Sequence, residues 1–210
     1  MKRIITTLIA LWSFTCFASE PVTLDWQNLR PEVAQTHITL PELSYEHKLK
    51  LQRIFTLMHS SNPRDAERIE EIKAELKKEN VDADELLQLR ADYIASQKKA
   101  AETITTEFDG TKVRIPGFLV PIEFKDAMVA TEFLLVPVAG ACIHMPPPPA
   151  NQIVRVSYPE GYEMRTVQYP VWVEGTISSE LKTENIYIVD GASDITMGYA
   201  LNASKVVDYQ

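Results

Sequence analysis

Cys142 and His144 stand two residues apart in the stretch Gly140-Ala-Cys-Ile-His-Met-Pro-Pro-Pro-Pro-Ala-Asn-Gln152. In an extended segment, side chains alternate with period two, so the sulfur and the imidazole project from one face. Such a pair suits zinc or copper, and Glu123 or Glu132 from neighbouring strands can add an oxygen. The metal set expected from the sequence is Cys142, His144 and Glu132, with zinc as the ion. Two strong donors fall short of the four that a structural zinc site uses. His37, His47 and His59 lie in the first half of the chain and can approach only through the fold.

The same pair permits two other chemistries. A Cys142 thiolate with His144 as base would make a cysteine-dependent enzyme on an unknown substrate. Adjacent same-face side chains in a strand are roughly 6–7 Å apart, so direct contact would need a bend. No nucleophile elbow, phosphate loop or dinucleotide fingerprint accompanies them. The third possibility is docking, with Cys142 as a small buried apolar residue and His144 pinning the loop. Pro146, Pro147, Pro148 and Pro149 remove four backbone donors and favour polyproline II over roughly 12 Å. Asn151 and Gln152 can satisfy backbone groups at the base of that run, leaving a rigid loop for a partner.

These residues need elements to hold them. The composition changes near residue 104, from charged and helical in pattern to rich in Val, Ile, Tyr, Phe, Pro and Gly. Residues 19–44 read as an irregular arm broken by Pro21, Pro31 and Pro41, docked through Trp26 and Leu29. Residues 45–103 read as a helical section. Its helices are Tyr45–His59 capped by Ser44, a second from Asn62-Pro63 to Glu79, and a third from Asp82 or Asp84 to Ala101. The second is nearly all charge, with Ile69, Ile72 and Leu76 as a narrow apolar seam.

Residues 104–210 read as strands near 112–123, 132–138, 152–158, 171–177 and 197–207, with Pro116-Gly117 as a bend and Pro159-Glu160-Gly161 as a turn. Trp172 lies on the opposite strand face from Val171 and Val173, and core packing is its expected role. Five short strands suggest an α+β fold: a helical N-terminal section packed on a small, mainly antiparallel β-barrel of OB-like type.

The chain has 210 residues, 21 basic and 29 acidic, for a net charge of −8. An acidic chain without a basic block argues against nucleic acid and anionic membrane surfaces as partners. Lys2 and Arg3 followed by the apolar run Ile4–Phe14 read as an export signal over residues 1–18, cleaved after Ala18. Acylation of Cys16 is the competing reading, and Phe14 and Thr15 suit it poorly. The apolar run is too short for a membrane span, which needs about 20 residues. With the signal removed, Cys142 is the lone cysteine, so no internal disulfide is expected.

Several blocks together resemble a known bacterial family. They are Val113–Phe124, Thr131–Pro137, the Cys142–His144–proline string, Tyr169–Gly175, and the arm residues Trp26, Leu29 and Pro31. The family is known as a domain of unknown function with exported members in Gram-negative bacteria. Some members are encoded beside an ABC transporter of the membrane-remodelling type and a histidine-rich exported zinc protein. The resemblance therefore implies a zinc-linked envelope role.

The resulting expectation is a periplasmic, non-enzymatic accessory or binding protein. It would serve an envelope ABC transport system linked to zinc homeostasis and partner one of its components. The Cys142–His144–proline loop would be its ligand or partner site.

Overall fold

The structure, a computed structural model, describes residues 20–32, 38–140, 148–166, 168–188 and 191–209. The signal and lipidation readings at residues 1–18 fall outside these residues. So do His37, Cys142, His144, Pro146 and Pro147.

Three helices follow the arm: α1 (Tyr45–Met58), α2 (Asp65–Lys78) and α3 (Ala83–Glu102). Each start has a local cause. The Ser44 hydroxyl accepts from the His47 amide at 3.1 Å and caps α1. Asp82 accepts from the amides of Asp84 and Glu85 and caps α3. Asn62 accepts from the Arg64 amide just before α2. These bonds satisfy amides that have no partner within the helix. The narrow apolar seams then meet one another: Ile54, Leu76 and Ala83 are buried together, with Ile69 and Ile72 beside them. Ion pairs reinforce the contacts, as Lys50 joins Glu75 on α2 and Glu79 just after it, and Lys73 joins Asp84 on α3.

Six strands form one mixed sheet: β1 (Val22–Thr23), β2 (Lys112–Asp126), β3 (Val129–Val136), β4 (Val154–Glu163), β5 (Tyr169–Ile188) and β6 (Gly191–Asp208). The order is β1-β2-β3-β4-β6-β5, with β2 also paired to β5. β1 on β2 and β4 on β6 are parallel; the other pairs are antiparallel. A short 3-10 turn, Ala150–Gln152, leads into β4.

Strand β3 is buried on both faces, which explains its continuous apolar run. Phe133 and Leu135 enter the main core with Val154, Val156, Val171 and Val173. Leu134 and Val136 point the other way and pack with Ile186, Ile195 and Met197. The distal part of the β5–β6 hairpin therefore folds over the outer face of β2 and β3. A register shift between Ser179 and Lys182 gives β5 the bend this requires. Trp26 and Leu29 dock the arm: Leu29 is buried, and the Trp26 indole donates to the Pro116 carbonyl at 2.7 Å.

The expected architecture needs correcting. The strands make a six-stranded mixed sheet, not a small, mainly antiparallel OB-like barrel, and the helices are not packed on such a barrel. Two parallel pairings, plus strands of 20 and 18 residues at β5 and β6, exclude the reading of five short strands. The breakers misled because the strands absorb them: Pro116 and Gly117 keep regular register with Trp172 and Val171, and a bulge in β4 takes up Pro159-Glu160-Gly161. β2 runs unbroken through Pro116-Gly117, and β4 runs unbroken through Pro159-Glu160-Gly161. The helices bury their seams against each other, and α3 reaches the β-domain at the 3-10 turn. Trp172 is only half-buried on the outer face, stacked on Tyr209, while Val171 and Val173 fill the core.

Candidate functional site

The proline loop returns to the sheet through a polar node. Pro149 sits at φ −52° and ψ 143°, a polyproline II conformation. Next to it, the Asn151 amide donates to the carbonyls of Ala100 at 2.8 Å and Thr103 at 3.0 Å. Asn151 thus satisfies carbonyls at the C-terminal end of α3, which lack donor partners within the helix. Gln152 donates to the Trp26 carbonyl at 3.0 Å, tying the loop base to the arm. Tyr199 completes the node, donating to the Leu29 carbonyl at 2.8 Å and accepting from the Thr105 amide at 2.9 Å. Burial pushes the Tyr199 phenol up, which keeps it neutral and able to donate.

Strand β6 passes directly against the turn, and Gly198 makes this possible: a Cβ there would lie 2.7 Å from the Ala150 carbonyl oxygen. Asn151 is 2 % exposed, and its Oδ1 has no partner among the described residues. Its two donated bonds fix the amide orientation, so that oxygen is left aimed elsewhere.

A second site lies where the β5–β6 hairpin folds over the sheet. It is a cleft of about 360 Å³, lined by Glu132, Arg155, Glu180, Lys182, Glu184 and Asn202 among others. Its position follows from alternation: Val154 and Val156 enter the core, so Arg155 is turned to the outer face. There Arg155 meets Glu132 at 2.5 Å and also pairs with Glu184 on the hairpin. Lys182 holds the other oxygen of Glu184 at 2.5 Å.

Glu132 raises the Arg155 pKa above the ordinary guanidinium value, with a smaller contribution from Glu184. Lys182 and, less strongly, Arg155 hold the Glu184 carboxyl below the usual carboxylate range. Both shifts lock charged forms. Acid–base chemistry near neutral pH needs shifts in the opposite direction, so this arrangement suits bracing or binding.

The residues singled out in the sequence are therefore distributed as follows. Cys142, His144, Pro146 and Pro147 lie outside the described residues; Pro148 and Pro149 approach the node, and Asn151 and Gln152 form it. Glu132 lies on β3, three residues along from Leu135, which pairs with Val154 where the loop closes. That offset is about 10 Å along a strand. The Glu132 Oε2 carries the pairing with Arg155.

Glu123 is the cross-strand neighbour of Glu132. His47 bonds Glu79 at 2.8 Å, and the His59 Nδ1 lies 2.8 Å from the Phe55 carbonyl, so each has a local partner in the helical half. Among the described residues, no group of three or more His, Cys, Asp or Glu side chains is placed to hold a metal ion. Sequence reasoning missed Arg155, Lys182 and Glu184. The single hint was a lone arginine alternating with core valines on a strand.

The geometry defines a mixed-sheet protein with a separate three-helix cluster, a buried node beneath a proline loop and an ion-paired cleft. The chain belongs to the family described as "Protein of unknown function (DUF3299)", whose model matches residues 26–208. It is similar to a solved DUF3299 family protein from Pseudomonas aeruginosa PAO1, with 29% sequence identity and a TM-score of 0.51. That match covers 91% of this chain and 98% of the other. No curated protein matches. No helix among the described residues is long and apolar enough to cross a membrane.

Proposed function

We propose that this DUF3299 protein is an exported, periplasmic, non-enzymatic accessory of an envelope ABC transport system linked to zinc homeostasis. The Cys142–His144–proline loop is its ligand or partner site. The observation that carries this reading is the anchorage of the loop base. Asn151 and Gln152 are buried and donate to three separate segments: α3, the residues after it, and the arm. A loop fixed at its base and stiffened by prolines loses little conformational freedom on binding, which favours a preorganised contact surface.

A Cys-x-His pair supplies a sulfur and an imidazole, both good zinc donors. Cys142 and His144 would hold the ion. Glu132 would add an oxygen, and the remaining coordination position falls to a partner or to water.

Native mass spectrometry of the mature protein with equimolar zinc tests this reading. Wild type is expected to retain one zinc, and the Cys142→Ala/His144→Ala variant to lose it while remaining folded. No zinc in wild type, or equal uptake by both proteins, would overturn the metal role. For the partner role, replacing Pro146–Pro149 with glycine and serine should abolish capture of the transporter component.

A further inference from the structure

We infer that the groove between α1, α3 and arm residues 40–43 binds a single-chain anionic amphiphile, a long-chain carboxylate of the fatty-acid type. The groove holds about 490 Å³, within the range of small-molecule sites. Its apolar floor comes from Leu40, Leu43, Leu51, Phe55, Leu86 and Leu87. On α1 the lining positions are Lys48, Leu51, Gln52 and Phe55, spaced i, i+3, i+4 and i+7, which is one stripe of a helix. The helical cluster takes up this lining only in part: Leu51 and Leu87 pack against it, whereas Phe55 and Leu40 remain exposed.

Charge selects the occupant. Lys50 and Lys73, on α1 and α2, are committed to carboxylates, Lys50 to Glu46, Glu75 and Glu79, and Lys73 to Glu70 and Asp84. Lys48 and Arg90, the two cations lining the groove, have no ion-pair partner among the described residues. Glu42 is the one acid in the lining. The lining therefore carries two cations against one acid beside an apolar floor.

Arg90 lies over the Phe55 ring, 4.8 Å from its centroid. A guanidinium held over an aromatic ring can still direct its N–H groups to a carboxylate. From Lys48 to Phe55 the α1 stripe runs about 10 Å along the helix, long enough to support an alkyl chain. An anionic head with one apolar tail matches both features. A neutral or cationic amphiphile would match only the floor.

Calorimetric titration of the full mature chain with dodecanoate tests the inference, with dodecyltrimethylammonium as the cationic counterpart. Saturable one-to-one binding of dodecanoate is expected, at least tenfold weaker in Lys48→Gln/Arg90→Gln and lost in Leu40→Asp. All three substituted positions are exposed, and thermal melts would confirm that the variants fold. No saturable binding, equal affinity for the cationic amphiphile, or unchanged affinity in either variant would overturn the inference.

Discussion

The sheet and the helical cluster bury apolar surface on very different scales. The main sheet core gathers large residues from the arm and from β2 to β6, including Leu29, Phe133, Ile115 and Tyr199, all essentially solvent-free. Among the described residues, the helical cluster fully buries three apolar side chains, Ile54, Leu76 and Ala83, with Leu51, Ile69, Ile72, Val81 and Leu87 partly buried around them, and adds ion pairs such as Lys50 with Glu79. Exposed ion pairs contribute little each, whereas buried side chains contribute in proportion to the area removed from water. The sheet is therefore the rigid part that positions the proline loop. The helices form a thin, adaptable layer with an open groove. Asn151 couples the two, because it belongs to the sheet side and bonds the end of α3.

The largest effect should separate the two regions. Phe133→Ala is expected to cost about 3–5 kcal/mol and to lower the stability of the whole sheet. Leu76→Ala should instead raise amide exchange in α1 and α2 while the strands keep their protection. Global unfolding in both variants would show that the regions form one cooperative unit.

Asn151→Ala comes next. It leaves the Ala100 and Thr103 carbonyls without this donor, at a cost of about 1–3 kcal/mol. Exchange should increase in the last turn of α3 and at the loop base together, and equilibrium denaturation gives the magnitude.

Local chemistry was legible in the sequence where the interaction is local. Ser44 and Asp82 mark helix starts because the amides they cap lie two or three residues away. Trp26 and Leu29 betray a docked arm because isolated apolar residues in a broken segment need somewhere to bury. Strand order was not legible: the β4–β6 pairing joins Val154 to Tyr199, and nothing near either residue encodes the other. Pro116 and Pro159 mislead because a proline ends a strand only where its missing amide or fixed φ conflicts with pairing. The cleft was invisible because Arg155 and Glu184 become neighbours only when the hairpin folds back.

That fold-back gives a smaller test. Arg155→Ala removes the bridge from β4 to the hairpin and leaves Glu132 and Glu184 facing each other without it. A loss of about 1 kcal/mol is expected for this half-exposed network, with faster exchange in the distal halves of β5 and β6. Unchanged exchange there would mean that Ile186, Ile195 and Met197 alone hold the hairpin down.

The smallest effect is the response to acid. His47 first and Lys50 second hold the Glu79 carboxyl below its ordinary value. A carboxylate lowered on folding contributes fully above its unfolded pKa, and that contribution disappears as pH falls through the folded value. The α1–α2 contact should therefore weaken only below about pH 4.5, the ordinary glutamate value. Glu79→Gln should flatten the dependence in thermal melts across that range. Weakening already near neutral pH would point instead to another group.

The most direct test of the central claim compares zinc affinity, by chelator competition, in wild type, Asn151→Ala and Leu76→Ala. If the sheet side positions the Cys142–His144 loop through its buried base, Asn151→Ala should weaken zinc about tenfold, while Leu76→Ala should leave it unchanged. No zinc binding by wild type, or an equal loss in both variants, would contradict the account.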